Sequence, residues 1–550
     1  MKNQAEFNFY VNPAFKIVSN KNMENIKNYN SREDISTLGE DNFLCSNFTV
    51  CKAVSDSIRT SLGPHGMDKV IISNQEILIT NDGATILENA RFQHPAAKML
   101  VNISKSQDQE IGDGTTTVVV LTGSILGTCL NLLKKGFQKI LLAEELWKIL
   151  KKIEQILIRL SFPVDIGNME KLYDAAFSSL ESKVVSAHSY VLAPIAVNAI
   201  LRITDINSTT GINLNDIKII KKIGGVVEQT ELLEGFGLNY PAVKSYGGPI
   251  KMKKAQIALI QFCLSRPSTD IENTVIIENY LSMDKILKEE KEYVTGLCRK
   301  IKSSGCNVLL VQKSILRESL SPLSLQILSQ MKIMVIQDID RDDIAFISKS
   351  LGCTPIIDIE AFASDKFGKA EIVEEKSFFL EKMIEFKGIQ FTRKKTATIL
   401  LRASNNLLLE EADRSLHDAL CVIRSIIRRR FIITGGGSVE MEISIHLKQY
   451  SKGISGLGSL CMFAIANTME IIPFTLAENA GLEPLQMMSM LRAFHTKGEK
   501  TFGINIRKGA ISDMFEENII SPLLVTTSAI NLAFEFVIQM LKIDDIILAR

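Results

Sequence analysis

Asp113 is the residue whose neighbours call for chemistry. It stands between two glycines in Gly112-Asp113-Gly114-Thr115-Thr116-Thr117, after a polar segment ending at Glu110 and before an apolar run from Val118 to Leu133. That order predicts a tight turn feeding the first turn of a buried helix. Glycines let the backbone take positive φ and come close to a ligand. A helix start leaves N–H groups unpaired and favours anions, and the threonines add hydroxyls. A carboxylate placed there would repel a bare phosphate. It fits where a hard cation such as Mg2+ lies between it and the phosphate oxygens. The stretch reads as a magnesium–nucleotide cradle, with an ordinary turn and helix cap as the plain alternative. No Gly-Lys-Ser/Thr follows, so this is not a P-loop, and the positive charge must come from elsewhere in the chain.

The elements that would hold such a loop follow from the rest of the sequence. A chain of 550 residues exceeds the size at which one core keeps growing, so two to four domains are expected. A net charge of +1 gives no electrostatic case for nucleic acid or an anionic membrane. The six histidines show no His-x-x-x-His spacing, which argues against zinc. The nine cysteines form no Cys-x-x-Cys and read as buried free thiols in a reducing compartment. With no apolar leader after Met1-Lys2 and no uninterrupted apolar stretch judged long enough to span a bilayer, the expected location is the cytoplasm.

Residues 1–40 are rich in Asn, Lys and Glu without clear periodicity and read as a loosely ordered extension. Helical spacing over 47–62 leads into the turn Gly63-Pro64-His65-Gly66. Val70–Ile72 and Ile77–Ile79 read as a strand pair, and Asn81-Asp82-Gly83 as a second turn before a helix. Two long helices over 118–160 break at Gly136, and amphipathic segments follow over 171–187 and 191–201. From about Ile217 the texture changes. Short β-rich runs (217–220, 225–227, 257–260, 307–311, 332–336, 355–359) alternate with helices over 284–303 and 342–350. Thr396–Leu401 is one more strand, Leu407–Arg430 a strong helix, and 431–550 returns to apolar helices. An α/β domain is thus inserted in an outer domain assembled from both chain ends.

These stretches resemble the nucleotide-site signature of the group II chaperonins, and within them the eukaryotic cytosolic chaperonin (CCT/TRiC). The likeness rests on Ser61-Leu62-Gly63-Pro64 with Gly66-Met67-Asp68-Lys69, on Ile79 to Leu87 (ITNDGATIL), and on Gly112 to Thr117. It is extended by His94-Pro95-Ala96-Ala97, by Gly435-Gly436-Gly437 followed by Glu440, and by Leu476 to Leu482 (LAENAGL), and covers about 44–550. The resemblance implies an α+β/α multidomain chaperonin fold. A mainly helical equatorial, ATP-binding domain would take 41–163 and 420–550. A small α/β intermediate domain would take 164–231 and 393–419, and an inserted α/β apical domain 232–392. A helical protrusion over 266–293 would serve as a lid, its apolar Val275, Ile276, Ile277, Leu281, Met283, Ile286 and Leu287 exceeding what a polar excursion needs.

The same resemblance assigns roles. Gly63 and Pro64 would lie against ATP, Asp113 would hold Mg2+, and Gly114, Thr115, Thr116 and Thr117 would bind phosphates. Gly436 would pass under the base or ribose, and Gly503 and Glu516 would sit at the ribose. Lys183, preceded by Ser182, would sense the γ-phosphate and supply the missing cation. Asp418, in His417-Asp418-Ala419-Leu420, would be the catalytic carboxylate, because hydrolysis needs one to orient the attacking water. Its place on the far arm of the chain couples its delivery to closure. Three positions depart from the family pattern: His65 stands where lysine is usual, Ser73 where relatives carry a second aspartate, and Ala403 replaces a glycine. The expected function is an ATP-hydrolysing chaperonin subunit in a double ring of paralogous subunits, enclosing unfolded client proteins, with neither nucleic acid nor membrane as partner. The rival is a ring subunit that holds nucleotide, hydrolyses it weakly and serves client binding and assembly; Ser73 favours it.

Overall fold

The computed structural model describes residues 40–544 except 73–76, 166, 205–211, 245–246, 266–279, 315–317, 379–380 and 390–395. Ser73, Val275, Ile276, Ile277 and the extension 1–39 lie outside the described residues.

The first arm holds α1 (Glu40–Arg59), the hairpin β1 (Lys69–Ile72) and β2 (Ile77–Thr80), α2 (Gly83–Asn89), α3 (Pro95–Glu110), α4 (Thr115–Lys134) and α5 (Lys139–Leu160). α4 is apolar on most sides and is buried along its length through Val118, Val119, Leu121, Ile125, Leu126 and Cys129, as a helix without a polar face must be. β3 (Phe162–Pro163), α6 (Met169–Glu181) and α7 (Ser189–Ile203) follow. The helix expected over 171–187 stops at Glu181 because Lys183 is extended (φ −111°, ψ 163°), and a 3-10 turn, Val184–His188, continues the chain.

A three-stranded sheet comes next, formed by β4 (Ile217–Ile223), β5 (Glu231–Leu232) and, from much later in the chain, a strand parallel to β4. The run 225–227 is not a strand: Gly224 and Gly225 take φ of 93° and 135°, and the chain curls into a 3-10 turn. The central sheet contains β6 (Phe236–Leu238), β7 (Lys251–Ile260), β8 (Val308–Gln312), β9 (Met334–Ile339), β10 (Gly368–Phe378) and β11 (Glu381–Lys387), in the order β6-β11-β10-β7-β8-β9. β7, β8 and β9 run parallel, with α8 (Tyr280–Ser303) and α9 (Pro322–Gln330) between them, and α10 (Arg341–Leu351) after β9. β8 is apolar without alternation because both faces are covered: Val308 and Leu310 enter one core, Leu309 and Val311 another. The run 355–359 makes only a single bridge, Ile356 to Ile260, since Pro355 has no N–H to extend a ladder.

The second arm holds β12 (Ala397–Ala403), the strand beside β4, then α11 (Asn406–Arg428), β13 (Phe431–Thr434), α12 (Ser438–Ser451), α13 (Leu457–Met469), α14 (Ile471–Asn479) and α15 (Pro484–Thr496). It ends with the hairpin β14 (Phe502–Asn505) and β15 (Ala510–Asp513), β16 (Ile520–Pro522) and α16 (Leu523–Leu541). One core joins the arms, with Phe48, Leu100, Leu121 and Leu146 packed with Ile443, Ile465 and Phe534. A second core gathers Leu172, Ala196, Leu401, Ala412, Leu416 and Ile423. α11 serves it with buried residues at helical spacing and runs unbroken through 419 and 420, so the division expected there falls inside one helix.

One expectation from composition needs correction. Among the described residues, four segments (Thr115–Lys134, Val184–Ile203, Leu457–Asn479 and Leu523–Leu541) are long and apolar enough to cross a membrane by length and composition. Between 44% and 67% of an 18-residue window in each is buried inside the protein, so their apolar character is also what these cores require. All nine cysteines are free, and seven of them are buried.

Candidate active site

The loop from α3 to α4 is a helix end and a helix start placed back to back. The N–H groups of Ile111 and Gly112 both donate to Gln107 O (2.9 and 3.1 Å), closing α3. Gly112 and Gly114 take φ of 78° and 77°, a region where a side chain would be strained, and Gly114 is the N-cap of α4. Space forbids a side chain as well: a Cβ on Gly112 would lie 2.6 Å from Cys421 Sγ, and one on Gly114 3.1 Å from Val525. Gln107, fully buried, donates to Asp113 O (2.8 Å) and accepts from the Ser528 hydroxyl (2.8 Å), pinning the loop to α16. Asp113 Oδ1 accepts the Gly114 N–H at 2.7 Å. The first N–H groups of α4 therefore open beside Asp113, with no side chain capping them.

Lys183 and Asp418 meet there. Their side chains are 12% and 10% exposed, and Lys183 Nζ lies 2.7 Å from Asp418 Oδ2, although they come from positions far apart in the chain. Lys183 gets there because α6 ends at Glu181 and the chain extends. Asp418 lies on the face of α11 between the buried Ser415 and Cys421. Burial alone would depress the Lys183 ammonium, but the carboxylates of Asp418, Asp82 and Asp113 outweigh it and raise its pKa. Asp418 is pushed well above the usual carboxylate range by burial, with Asp82 and Asp113 adding to it against the pull of Lys183. Asp113 is raised chiefly by burial too. The site is short of positive charge.

Asp82 is the residue whose role sequence reasoning missed: it lies in a turn and in the ITNDGATIL motif, with no function assigned to it. It is the N-cap of α2, its Oδ2 accepting Thr85 N–H (3.0 Å), while its Oδ1 accepts the Thr115 hydroxyl (3.0 Å) on the other side of the loop. Burial would raise it, but Lys183 and the Thr85 N–H prevail and hold it below the usual range. Gly83 makes the approach possible, since a Cβ there would lie 2.6 Å from Thr116 Cγ2. The signal was Asp82-Gly83-Ala84-Thr85, a helix N-cap whose partner hydroxyl lies in another motif.

A bound cation would find oxygen donors of the hard type here. Among the described residues no three His, Cys, Asp or Glu side chains form a metal cage. A metal at Asp113 would have to share ligands with a nucleotide, as magnesium does.

A family model for the TCP-1/cpn60 chaperonins matches residues 54–550. The T-complex protein 1 delta subunit of Dictyostelium discoideum is 50% identical, over 92% of this chain and 95% of that protein. Those of Schizosaccharomyces pombe (50%, 92% and 96%) and Homo sapiens (49%, 92% and 94%) are similar to the same extent. The chain belongs to the TCP-1/cpn60 chaperonin family. It has the multidomain chaperonin fold and is a subunit of a chaperonin that folds proteins by ATP hydrolysis.

The remaining expected positions of this chaperonin chain lie at several places in the fold. Gly436 (φ 65°) lies against Met514 and Ile504, and Ile504 N–H donates to Gly436 O at 3.0 Å. A Cβ on Gly503 would meet the carbonyls of Gly435 and Gly436 at 3.0 and 3.1 Å, so the glycine turn and the β14–β15 hairpin pack backbone to backbone. Gly63 (φ 91°) packs on Leu476 and approaches Ile506, and its turn is held by Asn479, whose amide donates to Arg59 O (3.1 Å) and Leu62 O (2.8 Å). Pro64 and His65 are exposed beside it. Ser182 turns its hydroxyl back to Ser179 O (2.9 Å) and offers its carbonyl to the Asn81 amide (2.8 Å). Thr117 is half-buried in the first turn of α4. Glu516 is exposed after β15. Ala403 is buried at the end of β12, where its carbonyl accepts Gly224 N–H (3.0 Å).

Proposed function

We propose that the Gly112–Thr117 loop cradles the triphosphate of ATP and that Lys183 and Asp418 act on its terminal phosphate. The observation that supports this most is the Lys183–Asp418 pair, nine-tenths buried and drawn from two distant segments onto a loop whose helix N–H groups are uncapped. Lys183 would neutralise the γ-phosphate and, in turning to it, release Asp418. The raised proton affinity of Asp418 suits a group that orients a water and takes its proton. Asp82, held ionised and fixed by two hydrogen bonds, would align the other side of that water. Asp113, with one oxygen tied to Gly114, would hold Mg2+; the ion, when bound, would neutralise phosphate charge. Gly436, Gly503, Gly63 and Pro64 would flank the nucleoside, with Glu516 reaching the ribose from the surface.

The layer that carries Lys183 and Asp418 rests on the loop layer through the packing of Cys421 against Gly112 and through polar contacts. These are Asn81 to Ser182 O (2.8 Å), Thr80 to Glu411 (3.3 Å), and Arg424 to Glu110 O (2.6 Å). Movement of one layer against the other would couple hydrolysis to domain closure. In this reading 41–163 and 420–550 form the equatorial domain, 164–231 and 393–419 the intermediate domain, and 232–392 the apical domain. The exposed Tyr280, Leu281, Met283 and Leu287 of α8 would face non-native clients. The chain would work in the cytosol within a double ring of paralogous subunits. Asp113→Ala is the direct test: Mg-dependent ATP binding to this subunit should be lost with the fold intact, and affinity within a few-fold of the parent would sink the assignment.

A further inference from the structure

Behind the glycine turn lies a buried hydrogen-bonded chain that the catalytic layer does not use. His495, on α15, has no exposed side-chain surface, and Glu442, on α12, is 6% exposed. His495 Nδ1 lies 2.7 Å from Glu442 Oε2, and its Nε2 lies 2.9 Å from the backbone carbonyl of Phe502. Each ring nitrogen faces an oxygen, so the imidazole is tied at both ends, to Glu442 on one side and to the β14 backbone on the other. The second oxygen of Glu442 is 3.2 Å from His446 Nε2. The Phe494 and Phe502 rings stack beside the chain, their centroids 5.1 Å apart.

Its two ends are informative. Glu442 sits just past the first turn of α12, the helix whose N-cap is Gly437. Phe502 is the first residue of β14, directly before Gly503. The glycine turn and the hairpin are thus joined twice, in front by Ile504 N–H to Gly436 O and behind by Glu442, His495 and Phe502 O.

We infer that Glu442 and His495 are positioning residues, a hydrogen-bonded strut that sets the gap between the Gly435–Gly437 turn and the β14–β15 hairpin and so the affinity for the nucleoside end of ATP. This rests on the reading that Gly436 and Gly503 flank the nucleoside. The strut touches neither the phosphate loop nor Lys183 and Asp418, so its loss should weaken nucleoside binding and leave phosphate binding and the chemical step alone.

The test uses the assembled chaperonin carrying a variant of this subunit. Trace 8-azido-ATP labels the subunit, and ATP or inorganic tripolyphosphate displaces it. His495→Gln should raise the ATP needed for half-displacement about tenfold, the scale of a lost buried hydrogen bond, and leave tripolyphosphate within about twofold. It should also raise the KM for ATP with kcat unchanged. Glu442→Gln still offers Nδ1 a partner and should stay near the parent, whereas Glu442→Asp, one methylene short, should shift like His495→Gln. That pair carries the test alone if His495→Gln does not enter the ring. Equal shifts for ATP and tripolyphosphate, or a shift for neither, would overturn the inference. Gly503→Ala separates the two levels, because its Cβ presses on the turn itself. If Gly503→Ala weakens ATP and the strut variants do not, the strut is wrong; if Gly503→Ala leaves ATP binding intact, the nucleoside reading falls and the strut with it.

Discussion

Replacing Lys183 by Met keeps the side chain's length and removes its charge. Asp418 would lose a partner at 2.7 Å in a place where both side chains are about nine-tenths buried, with Asp82 and Asp113 left facing it. Removing one partner of such a pair costs about 3 to 5 kcal/mol when the orphaned charge cannot escape. Here the charge can escape by taking a proton, because Asp418 and Asp113 are raised even with Lys183 present. The sign follows from linkage. A carboxyl whose folded pKa lies above its ordinary value of 3.8 binds protons better folded than unfolded. Its effect favours folding at low pH and turns against folding as pH rises through the raised pKa. The cost of Lys183→Met should therefore be about 3 kcal/mol near pH 7.5 and shrink to below about 1.5 kcal/mol near pH 5. Urea unfolding followed by far-UV circular dichroism at both pH values would measure it. A loss under about 1 kcal/mol at both, the value of a solvated surface pair, would refute the burial argument. So would a loss that grows toward acid.

Two further outcomes follow from contacts. Gly112→Ala should destabilise the chain by about 1 to 3 kcal/mol, through positive φ and the clash with Cys421, and a second change, Cys421→Ala, should restore part of it; full additivity by thermal unfolding would show that the loop does not rest on Cys421. Leu281→Ser with Leu287→Ser should leave the melting temperature within a degree or two, since these side chains are 75% and 48% exposed, while lowering retention of an unfolded client; a large fall in melting temperature would place them in a core.

Much of the architecture could be read from periodicity alone. The unbroken apolar stretch after Thr117 is a buried helix, and the β-rich runs at 257–260 and 307–311 are central strands because both sheet faces are covered. Errors came where local propensity met a backbone constraint. Val226 and Val227 look β-like, but two glycines at positive φ precede them, and Pro355 cannot donate to a ladder. The helix through Lys183 failed for a more useful reason: the chain gives up helical bonds there to bring an ammonium to the carboxylates. As candidates, Asp113 came from its flanking glycines and threonines, and Lys183 and Asp418 only from the resemblance. Asp82 was not, because its partner Thr115 is brought near only by the fold. The Glu442–His495 strut left no local signal, its members lying on separate helices.

The most direct test of the central claim is single-turnover ATP hydrolysis by this subunit in the reconstituted chaperonin, parent against Asp418→Ala. A group that orients the attacking water is worth about 10²-fold or more in rate. The hydrolysis rate of the variant subunit should fall by that factor while its ATP affinity stays within a few-fold, because Asp418 faces Lys183 rather than the N–H groups of α4. Hydrolysis at the parent rate, or a loss of binding as large as the loss of rate, would contradict the account.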